Sequence, residues 1–263
     1  MPTAHLNGID VYYERRGAGP RVLYLNGSGA TLAGMQILLD VFAPRCDLLA
    51  ADQRGLGETE IPPGPYSMAD YAADALALLD HVGWDTARVV GISFGGMVAQ
   101  ELAVTAPERV ERLALLCTSP GGTLRSYPLH ELEGLDPSHR AEAYLPILDS
   151  RFTPEWLATH ESDRNLVTML AARQATEKSA EVRRGEAEQL AARSHHDVLD
   201  RLARVTAPTL VAAGRYDGIA PLPNSEAIAS HIPGAELRVY EGGHAFFAQD
   251  RTAFPEVIDF LTA

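Results

Sequence analysis

Three residues of this 263-residue chain combine types and settings that could do covalent chemistry: Ser93, Asp217 and His244. A serine hydroxyl is a poor nucleophile at neutral pH. It needs a base, usually histidine, and the histidine needs a carboxylate to fix its tautomer and stabilise its charged form. Ser93 lies in Gly91-Ile92-Ser93-Phe94-Gly95, a G-x-S-x-G pattern. The preceding Ala87-Arg88-Val89-Val90 is strand-like, and Met97 to Ala103 reads as a buried helix, so the serine is expected on a tight strand-to-helix turn with its hydroxyl exposed. Glycine is needed two residues to either side because a side chain there would collide with the neighbouring strand or helix. Asp217 follows a strand in Gly214-Arg215-Tyr216-Asp217-Gly218-Ile219-Ala220-Pro221, and His244 follows another in Glu241-Gly242-Gly243-His244. In open α/β sheets the working groups project from such strand ends.

The elements that must position these residues alternate at the pace of βαβ units. Ile9 to Arg15, Val22 to Leu25, Leu48 to Ala51, Val89 to Ile92 and Val110 to Leu116 read as strands, with a helix over Met35 to Phe42. Ser67-Met68-Ala69-Asp70 forms a capping box that opens a second helix, which Gly83 ends. This alternation predicts a mostly parallel, doubly wound sheet. From about Pro120 to Asp200 the β-branched runs disappear and Ala, Arg and Glu dominate, which predicts a helical lid (residues 120–200) inserted into a core made of 1–119 and 201–263. After Pro208 the rhythm resumes, with strands at Thr209 to Ala213 and Leu237 to Tyr240 and helices at Ser225 to His231 and Glu256 to Leu261.

Composition narrows the function classes. A formal charge of -13 argues against nucleic acid and anionic membranes as partners, because phosphate binding needs clustered positive charge. Neither a signal-like start nor an uninterrupted apolar run of about 18 residues is present, which makes a cytoplasmic location the expectation. Lys178 is the single lysine, so Schiff-base chemistry is not expected, and the arginine bias suggests a bacterial source. Cys46 and Cys117 read as buried, reduced thiols. His195-His196-Asp197 lacks the companions of a metal site, and Gly27-x-Gly29 lacks the rest of a dinucleotide fingerprint, so neither metal nor cofactor is expected.

The chain order Ser, Asp, His at three strand ends resembles the α/β-hydrolase superfamily, and further motifs agree. Leu23-Tyr24-Leu25-Asn26-Gly27-Ser28-Gly29 resembles the loop that supplies part of the oxyanion hole. Asp52-Gln53-Arg54-Gly55-Leu56-Gly57-Glu58-Thr59 resembles the D-x-R-G-x-G-x-[ST] turn, and Gly214 to Pro221 the G-x-x-D-x-x-x-P acid loop. The resemblance implies an eight-stranded α/β-hydrolase fold, Ser93, Asp217 and His244 as the triad, and the backbone N–H groups of Phe94 and Ser28 as the oxyanion hole. Asn26 stands where the family usually has histidine; its side chain is expected to bond neighbouring backbone groups. In the family's strand order Cys46 and Cys117 lie three strands apart, on the order of 14 Å, too far for a disulfide.

Within the superfamily the chain is most similar to the enol-lactonases and cofactor-free haloperoxidase-type esterases, which implies hydrolysis of a small carboxylic ester or lactone through an acyl-enzyme. Carbon–carbon bond hydrolysis, thioester cleavage and perhydrolysis on the same triad are alternatives, and a receptor-like ligand binder on the same fold is an alternative of another class. Epoxide and haloalkane hydrolysis would need an aspartate at the elbow. Small-molecule substrates are the expected partners, with homo-oligomerisation left open. Tyr127, Tyr144, Phe152, Trp156 and Met169 are candidate pocket residues, and Arg125, Arg151 and Arg173 are candidates to receive a substrate carboxylate.

Overall fold

Strand residues of alternating orientation divide the interior into two layers. In the computed structural model, which describes residues 2–174 and 178–263, Leu23, Leu25, Val89, Leu113, Leu115 and Val211 face one side of a single sheet. Their neighbours Val22, Tyr24, Val90, Ala114, Leu116 and Ala212 face the other. A sheet apolar on both faces has to be covered on both, which is why its strands read as near-continuous apolar runs.

The strands are β1 (Thr3–Leu6), β2 (Ile9–Arg16), β3 (Arg21–Leu25), β4 (Asp47–Ala51), β5 (Ala87–Ile92), β6 (Val110–Leu116), β7 (Thr209–Gly214) and β8 (Glu236–Tyr240). Their order is β1-β2-β4-β3-β5-β6-β7-β8, antiparallel for the first two pairings and parallel from β4 onward. This is the expected eight-stranded, mostly parallel sheet. β1 carries the polar Thr3 and His5 on its exposed side and is too short for its alternation to stand out in the sequence.

Among the described residues the helices are α1 (Leu32–Phe42), α2 (Met68–His81), α3 (Phe94–Thr105), α4 (Pro137–Leu148), α5 (Pro154–Thr159), α6 (Glu161–Gln174), α7 (Ala180–Ser194), α8 (Leu222–His231), α9 (Phe246–Gln249) and α10 (Ala253–Thr262). α2, α3 and α8 cover one face of the sheet; α1 and α10 cover the other. The capping box at α2 forms as read: the Asp70 amide donates to Ser67 Oγ at 3.2 Å, and the Ser67 amide donates to Asp70 Oδ2 at 2.8 Å. Between β6 and β7 the chain forms helices α4 to α7 and no strand among the described residues.

Cys46 and Cys117 are free and buried, at the edges of β4 and β6 with β3 and β5 between them. No helix among the described residues is long and apolar enough to cross a membrane.

Candidate active site

The turn after β5 forces Ser93 to φ 54° and ψ −112°, a conformation that a non-glycine residue holds only when its surroundings over-determine it. Those surroundings are visible. The Ser93 amide donates to the Leu116 carbonyl at 2.8 Å, and the Thr118 hydroxyl donates to the Ser93 carbonyl at 2.8 Å, so the end of β6 grips the serine backbone from both sides. The flanking glycines meet the steric argument made for them. A Cβ on Gly91 would run into the Gly95 carbonyl, and one on Gly95 into the carbonyl of Leu25.

His244 reaches this serine from the loop after β8, its Nε2 2.9 Å from Ser93 Oγ. Its Nδ1 lies 2.8 Å from Asp217 Oδ2. A carboxylate only accepts, so Nδ1 carries the ring proton and Nε2 is left to accept from the serine hydroxyl. The second Asp217 oxygen accepts from the amides of Ile219 and Ala220, each at 2.8 Å. The Asp217 side chain is fully buried and the His244 ring nearly so. The structure thus joins the three sequence-selected residues, from three strand ends, in one hydrogen-bonded line.

The amides chosen for an oxyanion hole flank that line. Phe94 is the first residue of α3, where a helix leaves its N–H groups without intrahelical partners. Gly27 brings the second loop close, since a Cβ placed there would sit 3.6 Å from the Ser93 Cβ. Neither the Phe94 nor the Ser28 amide donates to an acceptor among the described residues.

That loop is held by the turn at Asp52. Asp52 accepts from the amides of Leu32 (2.6 Å) and Glu58 (2.9 Å), and Gln53 Nε2 donates to the Asn26 carbonyl at 2.7 Å. Burial raises the Asp52 pKa, and the two amide bonds oppose that shift. One expectation fails here. The Asn26 side chain is completely buried, and neither its oxygen nor its nitrogen has a protein partner. The Asn26 backbone carbonyl, bonded by Gln53, does the anchoring that was expected of its side chain.

A cavity of about 520 Å³ opens between the loop Ser28–Thr31 and helices α4, α6 and α7. Of the five candidate pocket residues only Tyr144 lines it. Trp156 is occupied elsewhere, donating to Asp163 and stacking on His160, while Phe152 is buried and Met169 is largely exposed. Of the candidate arginines, Arg125 is exposed, and the Arg173 side chain lies outside the described residues. Arg151 is committed to Asp149 in a two-pronged ion pair and packs over the rings of Trp156 and Tyr216.

Several residues that shape the site were not singled out from the sequence. Gln189 of α7 accepts from the Gly29 amide at 2.8 Å, tying the helical insertion to the loop beside the serine. Gln249 accepts from the Gly243 amide next to His244 and donates to Asp149 at 3.0 Å. The segment 147–150 bonds both the Asp217 loop and the His244 loop: the His244 amide donates to Leu148, the Gly218 amide to Ile147, and the Ser150 amide to Tyr216. The one pattern that could have found Gln189 is the stripe Val182, Glu186, Gln189, Leu190, which helical spacing places on one face.

Among the described residues no group of three or more His, Cys, Asp or Glu side chains is arranged to hold a metal ion.

Comparison with known proteins agrees with the geometry. A sequence model of the alpha/beta hydrolase fold matches residues 20–250. A protein of Azorhizobium caulinodans provisionally named a carbamate hydrolase is 30% identical over 98% of this chain and 97% of its own. A 2-hydroxymuconate semialdehyde hydrolase of Pseudomonas putida is 35% identical over 82% of this chain and 76% of its own. Among solved structures, the enol-lactonase from Burkholderia xenovorans LB400 superposes over the whole of both chains with a TM-score of 0.83 at 24% identity. The strand order, the serine turn and these matches agree: the chain belongs to the α/β-hydrolase fold family and is a hydrolase.

Proposed function

We propose that the protein is a cofactor-independent serine hydrolase that cleaves a small carboxylic ester or lactone through an acyl-enzyme. The observation that carries this reading is the continuous line from Asp217 through His244 to Ser93, beside two unbonded backbone amides. His244 Nε2 takes the hydroxyl proton as Ser93 Oγ attacks the carbonyl carbon, and the carbonyl oxygen gains negative charge. The Ser28 and Phe94 amides donate to that oxygen, with the positive end of the α3 dipole behind Phe94. Asp217, held in place by two amides, stabilises the imidazolium. His244 then gives its proton to the leaving alkoxide, leaving an ester on Ser93. Water, deprotonated by the same histidine, attacks this ester, the carboxylic acid departs, and Ser93 recovers its proton.

The helical insertion acts as the lid over the cavity, whose size suits one small molecule. No step needs a metal or cofactor. We take the working location to be the cytoplasm and the partner to be the substrate alone. The similarity to a 2-hydroxymuconate semialdehyde hydrolase favours carbon–carbon bond hydrolysis as the second reading. A serine-directed fluorophosphonate decides the main one: wild type is expected to be labelled and to turn over 4-nitrophenyl acetate, and Ser93→Ala to do neither. The expected loss of turnover is at least about 1,000-fold. Absence of labelling in folded wild type refutes the reading.

A further inference from the structure

Helix α7 lines the cavity with Val182, Glu186, Gln189 and Leu190, and the next position on the same face is Arg193. Arg193 lies behind that lining, and the two cations that do line the cavity, Lys178 and Arg140, are already engaged. Lys178 pairs with Glu186 at 2.6 Å, and Arg140 donates to the Leu132 and Leu135 carbonyls. Arg193 is different. It is only 6% exposed, its Nη1 donates to the Tyr127 carbonyl at 2.8 Å, and its Nε and Nη2 have no protein acceptor. Among the described residues no carboxylate pairs with it. Burial brings its pKa down to about 10, which leaves it charged at neutral pH, and the groups that oppose this shift are Tyr144 of the cavity wall and Asp217.

The unpartnered edge is chemically specific. Nε and Nη2 point along parallel directions and match the two oxygens of one carboxylate. In this protein Arg15 grips Asp47, Arg54 grips Asp74 and Arg151 grips Asp149, each with that same pair of nitrogens. A buried cation lacking such a partner is costly to keep, so a carboxylate is expected to come to it from outside the chain.

We propose that Arg193 is a specificity-determining residue that receives, on Nε and Nη2, a carboxylate carried by the substrate. The substrate class becomes an ester or lactone with a second, free carboxylate, and this rests on the hydrolase reading above. Neither nitrogen is solvent-exposed, so the carboxylate reaches them only when the residues around Arg193 open. Once there it is held in surroundings of low dielectric, where the pair is stronger than at the surface.

The test compares 4-nitrophenyl butyrate with the mono-4-nitrophenyl ester of glutaric acid. Wild type is expected to favour the glutarate ester in kcat/KM by about 100-fold. Arg193→Met is expected to lose that preference while keeping butyrate turnover within about three-fold, and Arg193→Lys, which keeps the charge without the fork, to fall between. A second readout needs no turnover: glutarate, but not glutaramide, raises the melting temperature of wild type and not of Arg193→Met. Were Arg193→Met to fail to fold, the wild-type contrast between glutarate and glutaramide decides, equal effects overturning the proposal. An equal fall on both esters in Arg193→Met also overturns it, because that is the behaviour of a residue that only positions the acid loop. Failure of the hydrolase reading looks different: wild type would resist the fluorophosphonate while glutarate still raised its melting temperature.

Discussion

The two ends of the helical insertion treat an arginine in opposite ways, one partly exposed and one buried. Where the insertion meets the Asp217 and His244 loops, Arg151 is satisfied: Asp149 accepts from its Nε at 2.9 Å and Nη2 at 2.6 Å, and the Tyr216 ring lies 4.0 Å from the guanidinium carbon. Asp149 is in turn completed by Gln249 and by the Arg151 amide. At the C-terminal end of α7, by contrast, Gln189 Nε2, Arg193 Nε and Nη2, and both ring nitrogens of the nearby His196 lack protein partners. A fully paired polar cluster fixes geometry; a partly paired one is poor at holding a fold together and is kept for something else. The first end therefore secures the loops that carry Asp217 and His244, and the second is the end to which the proposed substrate carboxylate is assigned.

The largest expected effect strikes the satisfied end. Asp149→Ala leaves the Arg151 guanidinium without its carboxylate and Gln249 with one acceptor fewer. The loss of stability is expected to be about 3 kcal/mol, at the lower edge of the range for breaking a buried pair because Arg151 is partly exposed. Urea denaturation measures it directly. Turnover of 4-nitrophenyl acetate should fall as well, since the Gly243 amide loses the support that Gln249 gains from Asp149. A change below about 1 kcal/mol would show that the two ends do not differ in the way argued.

The unsatisfied end contributes the next effect, through pH. Burial holds the His196 imidazole neutral, lowering its pKa to about 4, although Glu101 pulls the other way while paired to Arg201. In the unfolded chain the same ring takes up its proton near the ordinary value of about 6.5. Between these values the unfolded state binds the extra proton, so stability falls as pH drops, by about 3 kcal/mol across the whole window. His196→Leu is expected to remove that part of the acid sensitivity, read as a smaller difference between urea midpoints at pH 7.5 and 4.5. Equal differences in the two proteins would mean that His196 is not held neutral by burial.

This contrast also explains what the sequence disclosed and what it concealed. Ser93, Asp217 and His244 stood out because each lies in a short motif at a strand end, and strand ends follow from periodicity. The capping box at Ser67 is equally local. Arg151 and Arg193 offered no such cue. Arg151 finds its acid two residues away, but its aromatic neighbours are Trp156 and the distant Tyr216. Arg193 is notable only because nothing folds back to meet its free edge, which is a property of the whole structure. Gln249 and Asp149 are 100 residues apart, and no pattern of spacing joins them. Asn26 taught the converse: its side chain looked able to replace a histidine, yet Gln53, from another loop, bonds its backbone.

The smallest expected effect is the sharpest test of the comparison. Arg193→Met removes a buried charge with two unpartnered nitrogens and leaves a flexible apolar side chain of similar length. The loss is one hydrogen bond to the Tyr127 carbonyl, about 1 kcal/mol, and the gain is relief from burying an incompletely paired cation, of similar or larger size. The net change is expected to lie between zero and a stabilisation of about 1 kcal/mol, in contrast to Asp149→Ala. A residue whose removal leaves the fold as stable or more stable, while abolishing preference for a carboxylate-bearing ester, is retained for binding. If Arg193→Met instead lowers the urea midpoint as much as Asp149→Ala does, Arg193 is a structural residue like Arg151 and the two ends of the insertion are alike.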